Sequence, residues 1–102
     1  AFLDYDPIHN LKLVTQPVLI LHGAKDREVP PSHAELNHKA LREAGNRRVR
    51  LHIFPNLNHL FLPAQTGDPS EYSDLPKTLD QGFILTLVQW LKDVLMGERI
   101  QK

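Results

Sequence analysis

Residues Pro17-Val18-Leu19-Ile20-Leu21-His22 run apolar without alternation and stop at Gly23. A short continuous run bounded by proline and glycine reads as a strand buried on both faces, the habit of interior strands in parallel sheets. A strand of that kind needs neighbours on either side, so the rest of the chain must supply them or leave the strand short of cover.

The next 31 residues or so supply one neighbour. Residues 23–31 hold charges and two prolines and read as a loop. Residues 32–44 read as a helix, with Ser32 and Glu35 at capping-box spacing and Leu36, Ala40, Leu41 and Ala44 as its apolar face. Gly45-Asn46 supplies the stop. Arg48-Val49-Arg50-Leu51-His52-Ile53-Phe54 alternates polar and apolar up to Ile53, a half-buried strand ended by Pro55. Strand, helix and strand in this order form a parallel crossover unit, expected to be right-handed.

Residues 55–78 are a long loop rich in Pro, Asn, Gly, Asp and Ser, of the kind that is functional or pinned by its neighbours. Residues 80–96 form the strongest helix, with Ile84, Leu87, Val88, Leu91, Val94 and Leu95 on the apolar face, Gln89, Lys92 and Asp93 on the wet side and Gly97 as stop. Residues 1–16 are an irregular lead-in. There Asp6-Pro7 disfavours helix at position 6, and Leu11, Leu13 and Val14 are expected to anchor it.

Two strands do not complete a doubly wound sheet. The chain is therefore expected to be a portion of a larger fold, cut from something longer rather than trimmed of an initiator before Ala1.

Composition removes several function classes. Twelve Lys and Arg balance twelve Asp and Glu, which excludes a nucleic-acid binder driven by excess positive charge. The absence of cysteine excludes disulfides, thiolate zinc sites and a cysteine nucleophile, and fits a reducing compartment. No apolar run approaches a membrane span, and Ala1-Phe2-Leu3-Asp4 lacks the basic region of a signal peptide, so no membrane partner is expected.

Ligands and reactive groups of open parallel sheets gather beyond the carboxyl ends of the strands. Asp26 follows the first strand and His59 follows the second, so the crossover delivers a carboxylate and an imidazole to one rim. A carboxylate accepting from Nδ1–H fixes the imidazole tautomer and leaves Nε2 as a general base. Each residue also has an ordinary reading, Asp26 as a turn former and His59 as a solvated loop histidine. A metal site from His22, Asp26 and His59 matches no standard spacing, and His33 and His38 do not form the zinc helix motif. His22 reads as structural, His52 points to the polar side of its strand and His9 sits in the lead-in. No G-x-S-x-G occurs. Ser32 reads as a cap, and Ser70 and Ser73 lie in the polar loop.

Residues 17–30, Pro-Val-Leu-Ile-Leu-His-Gly-Ala-Lys-Asp-Arg-Glu-Val-Pro, resemble the penultimate strand and acid loop of an α/β-hydrolase. Phe54-Pro55-Asn56-Leu57-Asn58-His59-Leu60-Phe61 resembles the histidine loop after its last strand. Thr66-Gly67, Glu71-Tyr72 and the helix reaching Trp90-Leu91 resemble the tail of bacterial carboxylesterases related to the dienelactone-hydrolase and prolyl-oligopeptidase branches. The resemblance runs from about Tyr5 to Leu95.

It implies an α/β fold, with residues 1–102 as the C-terminal part of a doubly wound α/β-hydrolase domain. It also implies a Ser, Asp, His triad in that chain order, whose acid falls on Asp26 and whose base falls on His59. Glu28, also in the acid loop, does not hold the Gly-x-x-Asp position that Asp26 holds. The nucleophile, its elbow and the oxyanion amides belong to earlier strands of that fold. No metal or organic cofactor is implied.

The expected activity is hydrolysis of carboxylic esters by the intact parent. The alternatives are a serine peptidase of prolyl-oligopeptidase type and a non-catalytic binding module. The 102 residues alone are expected to be inactive, to depend on the missing N-terminal portion and to self-associate. Leu60, Phe61 and Leu62 are expected to pack under the last helix rather than line an acyl pocket.

Overall fold

The structure, a computed structural model, describes residues 11–97. The expectations at Asp6-Pro7 and His9, and the start of the resemblance at Tyr5, lie outside these residues. Strand β1 spans Val18–Gly23, helix α1 Pro31–Glu43, strand β2 Val49–Phe54 and helix α2 Gln81–Met96, with a short 3-10 turn at Pro69–Asp74. The strands pair in parallel, Val18 against Val49 through Gly23 against Phe54. Val18 N–H to Arg48 O (2.9 Å) and Ala24 N–H to Phe54 O (2.8 Å) extend the ladder at both ends. The architecture is α/β. Among the described residues the sheet has these two strands only.

Burial differs from the expectation in two places. Val18 to His22 are half-buried, not enclosed, because β1 has one hydrogen-bonded neighbour. Leu13 is 66% exposed and anchors nothing, whereas Leu11 and Val14 are half-buried.

Helix α1 starts earlier than the capping box proposes. Pro30 is the N-cap and Pro31 occupies the first turn, with no side-chain cap, so Ser32 and Glu35 form no box. Proline at the first helical position presets φ and lacks only an N–H that would be orphaned there anyway. The buried face is then Ala34 and Leu41, with Leu36 left 62% exposed. Burying Leu41 contributes roughly 1.5–3 kcal/mol. The helix ends as expected: Gly45 takes φ 107°, its N–H reaches Arg42 O and the Asn46 N–H reaches Leu41 O, a Schellman closure.

Helix α2 ends at Gly97 as expected and starts one residue later than expected, with Asp80 as its N-cap rather than its first residue. The Asp80 carboxylate accepts from Phe83 N–H at 3.0 Å, and Gly97 closes it at φ 69°. Its rotation differs from the periodicity. Asp93, expected on the wet side, is buried against Arg50 at 3.1 Å, and Gln89 donates to it at 3.0 Å. Arg50 and Phe54 lie on one face of β2, as alternation requires. Asp93 meets the first and Phe83 the second, with the Phe54–Phe83 ring centroids 5.7 Å apart. Leu85, Leu91 and Leu95 instead stand 67%, 45% and 85% exposed. No described helix is long and apolar enough to cross a membrane.

Candidate active site

Gly23 and Phe54 are register partners, so the loops leaving β1 and β2 begin side by side. They stay zipped: Lys25 N–H donates to Leu57 O at 2.9 Å. The approach is close enough that a Cβ on Gly23 would collide with the Leu57 and Asn58 carbonyls. Glycine is needed there for space, so that one backbone can cross another.

Asp26 sits at the centre of the first loop and is 7% exposed. Its Oδ1 accepts from the Glu28 and Val29 amides at 2.9 and 2.8 Å. Its Oδ2 faces two imidazoles, His59 Nδ1 at 2.9 Å and His22 Nε2 at 3.2 Å. His22 Nε2 also lies 2.8 Å from Val29 O. A carbonyl only accepts, so that nitrogen carries the proton and braces the acid loop. By the same logic His59 holds its proton on Nδ1 and presents an open Nε2.

His59 is positioned by its predecessor. Asn58 is fully buried, and its Oδ1 accepts from the Leu60 and Leu62 amides at 2.9 and 3.0 Å. Asn58 N–H donates to Leu62 O, and Phe61 N–H to Asn58 O, both at 3.0 Å. This tight turn places Phe61 at φ 60° and sets its ring edge-on to Phe54 and tilted against Phe83. Phe61 packs against Phe83 of the last helix as expected and Leu62 is buried, whereas Leu60, expected to pack there too, is 47% exposed.

The long loop is pinned rather than loose. Lys25 Nζ donates to the Ala64 and Gln65 carbonyls at 2.8 and 3.2 Å. Gly67, at φ 86°, lies against the Lys25 carbonyl and donates to the Glu71 carboxylate at 2.9 Å. That path brings Tyr72 to the rim, where its hydroxyl donates to Glu28 Oε2 at 2.7 Å. The same Oε2 stands 3.9 Å from His59 Nε2.

The electrostatics follow from these contacts. Burial pushes the Asp26 carboxyl up, but hydrogen bonds from Val29, His59 and Glu28 outweigh it and hold the group below the ordinary 3.8. The hydrogen bond to Asp26 raises His59 above 6.5 against the opposing effect of burial, with the Asp26 and Glu28 charges adding to the rise. Tyr72 is pushed up to about 12, first by its bond to Glu28.

The two residues expected at the rim, Asp26 and His59, are thus brought together. His22, read as structural, touches the same carboxylate. The turn-fixing role of Asn58, and the approach of Glu28 and Tyr72 to His59, were not expected. An Asn before a loop histidine is an Asx-turn signal that reveals the first of them. No signal links Tyr72 to Glu28 across the long loop. His33, His38 and His52 take no part in these contacts. Among the described residues no group of three or more His, Asp or Glu is arranged to hold a metal ion. Ser32 lies in α1, and Ser70 and Ser73 in the 3-10 turn.

A carboxylate–imidazole pair with a free Nε2, on the C-terminal rim of parallel strands, has the geometry in which an imidazole can act as a general base. No curated protein and no solved structure matches the chain. The family model described as the prolyl oligopeptidase family matches residues 1–82, which takes in both strands, the acid loop and the histidine loop but stops at the start of α2. That match covers most of the chain, and with it the chain belongs to the prolyl oligopeptidase family, a family of serine hydrolases.

Proposed function

We propose that this chain supplies the acid, Asp26, and the base, His59, of a serine hydrolase whose nucleophile comes from residues outside these 102. The observation that carries the reading is the 2.9 Å bond between Asp26 Oδ2 and His59 Nδ1, with Nε2 left open. His59 takes the proton of the serine as it attacks an acyl carbon, then gives that proton to the leaving group. Water repeats the cycle on the acyl-enzyme. Asp26 orients the imidazole and stabilises the imidazolium without taking the proton.

The family match favours amide bonds of peptides as the substrate class. Carboxylic esters are the second reading, favoured by the likeness of the Thr66-Gly67 and Glu71-Tyr72 segment to carboxylesterase tails.

The chain acts as part of one hydrolase domain. Ile84, Leu85, Val88, Leu91 and Leu95 are exposed on α2, an apolar surface suited to the remaining portion of that fold or, without it, to a second copy. The test is labelling by a serine-reactive fluorophosphonate. The chain alone should not label. A longer chain carrying a G-x-S-x-G should label, and His59→Ala should abolish the labelling. Equal labelling in His59→Ala would remove His59 as the base, and a longer wild-type chain that does not label would replace the enzyme by the non-catalytic binding module.

A further inference from the structure

The role inferred for Glu28 rests on the reaction proposed at His59 and names its substrate class. In that reaction the proton passes from His59 Nε2 to the departing atom, so a group facing Nε2 faces the leaving group. Glu28 is that group, with Oε2 3.9 Å from Nε2, too far for a hydrogen bond and near enough to bear on what binds between them.

Its charge is unbalanced. Among the described residues Glu28 has no Lys or Arg within ion-pair distance. The adjacent Arg27 turns to Asp68 at 3.6 Å, and Lys25 donates to the Ala64 and Gln65 carbonyls. Tyr72 holds Oε2 at 2.7 Å but brings no charge, and its phenol stays protonated throughout the neutral range. Asp26 does not offer the same charge to a substrate, because it is 7% exposed and both its oxygens are taken by two amides and two imidazoles.

We propose that Glu28, held in place by Tyr72, is a specificity-determining residue that selects substrates whose leaving group carries a cationic nitrogen, an ammonium or a guanidinium. The departing atom sits ~3 Å from Nε2, and a charge-assisted N–H···O contact to Glu28 spans ~2.8 Å. The cation therefore lies a few bonds beyond the scissile bond. In a peptide that is a lysine or arginine side chain directly after the cleaved bond, and in an ester it is an amino alcohol.

The test uses the intact hydrolase and two substrates with one acyl group. One leaving group is a lysine amide, the other its Nε-acetylated, uncharged counterpart. The readout is the ratio of their kcat/KM values, in which any general effect on His59 cancels. We expect the cationic substrate to be favoured by about tenfold at low ionic strength, declining with salt, as for a partly screened charge pair. Glu28→Gln, which still accepts from Tyr72, should bring the ratio to about one. Tyr72→Phe should reduce it in part, through a higher KM for the cationic substrate. A ratio unchanged by Glu28→Gln, or no preference in the wild type, overturns the inference and leaves the reaction standing if His59→Ala is inactive. Full turnover of both substrates by His59→Ala overturns the reaction and the inference with it.

Discussion

Replacing Gly23 by alanine perturbs the candidate site without touching any of its side chains. The added Cβ would stand 2.8 Å from the Leu57 carbonyl carbon, against the 3.4 Å at which ordinary contact begins, a shortfall of about 0.6 Å. The Leu57 and Asn58 carbonyl oxygens are closer still. All three are backbone atoms, and they cannot retreat freely, because Leu57 O accepts from Lys25 N–H and Asn58 O from Phe61 N–H.

The histidine loop must therefore move as a body, carrying His59 away from Asp26. Overpacking of this kind costs roughly 1–3 kcal/mol. A shift of 0.6 Å or more lengthens a 2.9 Å bond to the limit of hydrogen bonding. Because that bond is the largest cause of the raised His59 pKa, the pKa should fall back toward 6.5. Two measurements on one sample suffice, denaturant unfolding for stability and an NMR titration of the His59 ring protons. Gly23→Ala with wild-type stability and an unaltered His59 pKa would refute the close crossing of the two loops.

The same contacts govern the response to pH. In the intact hydrolase, His59 must be neutral to act as base, so the rising limb of kcat/KM should lie above pH 6.5. Glu28→Gln, which removes one of the charges that raise His59, should move that limb to lower pH. Because the folded His59 pKa lies above its unfolded value, the stability it contributes is fully present below about pH 6.5 and lost as pH rises through the folded pKa. Asp26 acts in the opposite sense, contributing stability above pH 3.8 that is lost as pH falls through its lowered folded pKa; the two pH windows separate the contributions in the wild-type stability curve, and Asp26→Asn, which also removes the bond that raises His59, should flatten both. Asn58→Ala removes the acceptor for two amides and should cost about 2 kcal/mol in denaturant unfolding. Asp93→Ala leaves Arg50, whose side chain is 32% exposed, without its carboxylate. It should cost about 2–3 kcal/mol, below the full cost of breaking a buried pair.

Much of the fold was legible because it depends on local pattern. The apolar run at 18–22, the alternation before Phe54, Asp80 and Gly97 at the ends of α2, and Gly45 after α1 are each short-range signals, and each is where the pattern puts it. What failed depends on partners distant in the chain or on a stronger local rule. The Ser32 box lost to Pro31, which starts the helix earlier. The α2 periodicity put Asp93 outside, because nothing local reveals that Arg50 lies opposite. The candidate site divides in the same way. Asp26 and His59 follow from strand ends that parallel pairing must bring together. Tyr72 reaches Glu28 only through the path of a loop pinned by Lys25 and Glu71, and no periodicity encodes that path.

The pairing of Asp26 with His59 as acid and base is tested most directly by kcat/KM of the intact hydrolase on one acyl substrate, measured for wild type, His59→Ala and Asp26→Asn. The predicted result is near-complete loss in His59→Ala and a fall on the order of ten-thousand-fold in Asp26→Asn, the scale set by the same substitution in a serine-protease triad. Asp26→Asn within a few-fold of wild type would contradict it, because the carboxylate at 2.9 Å from Nδ1 would then not be what orients the base.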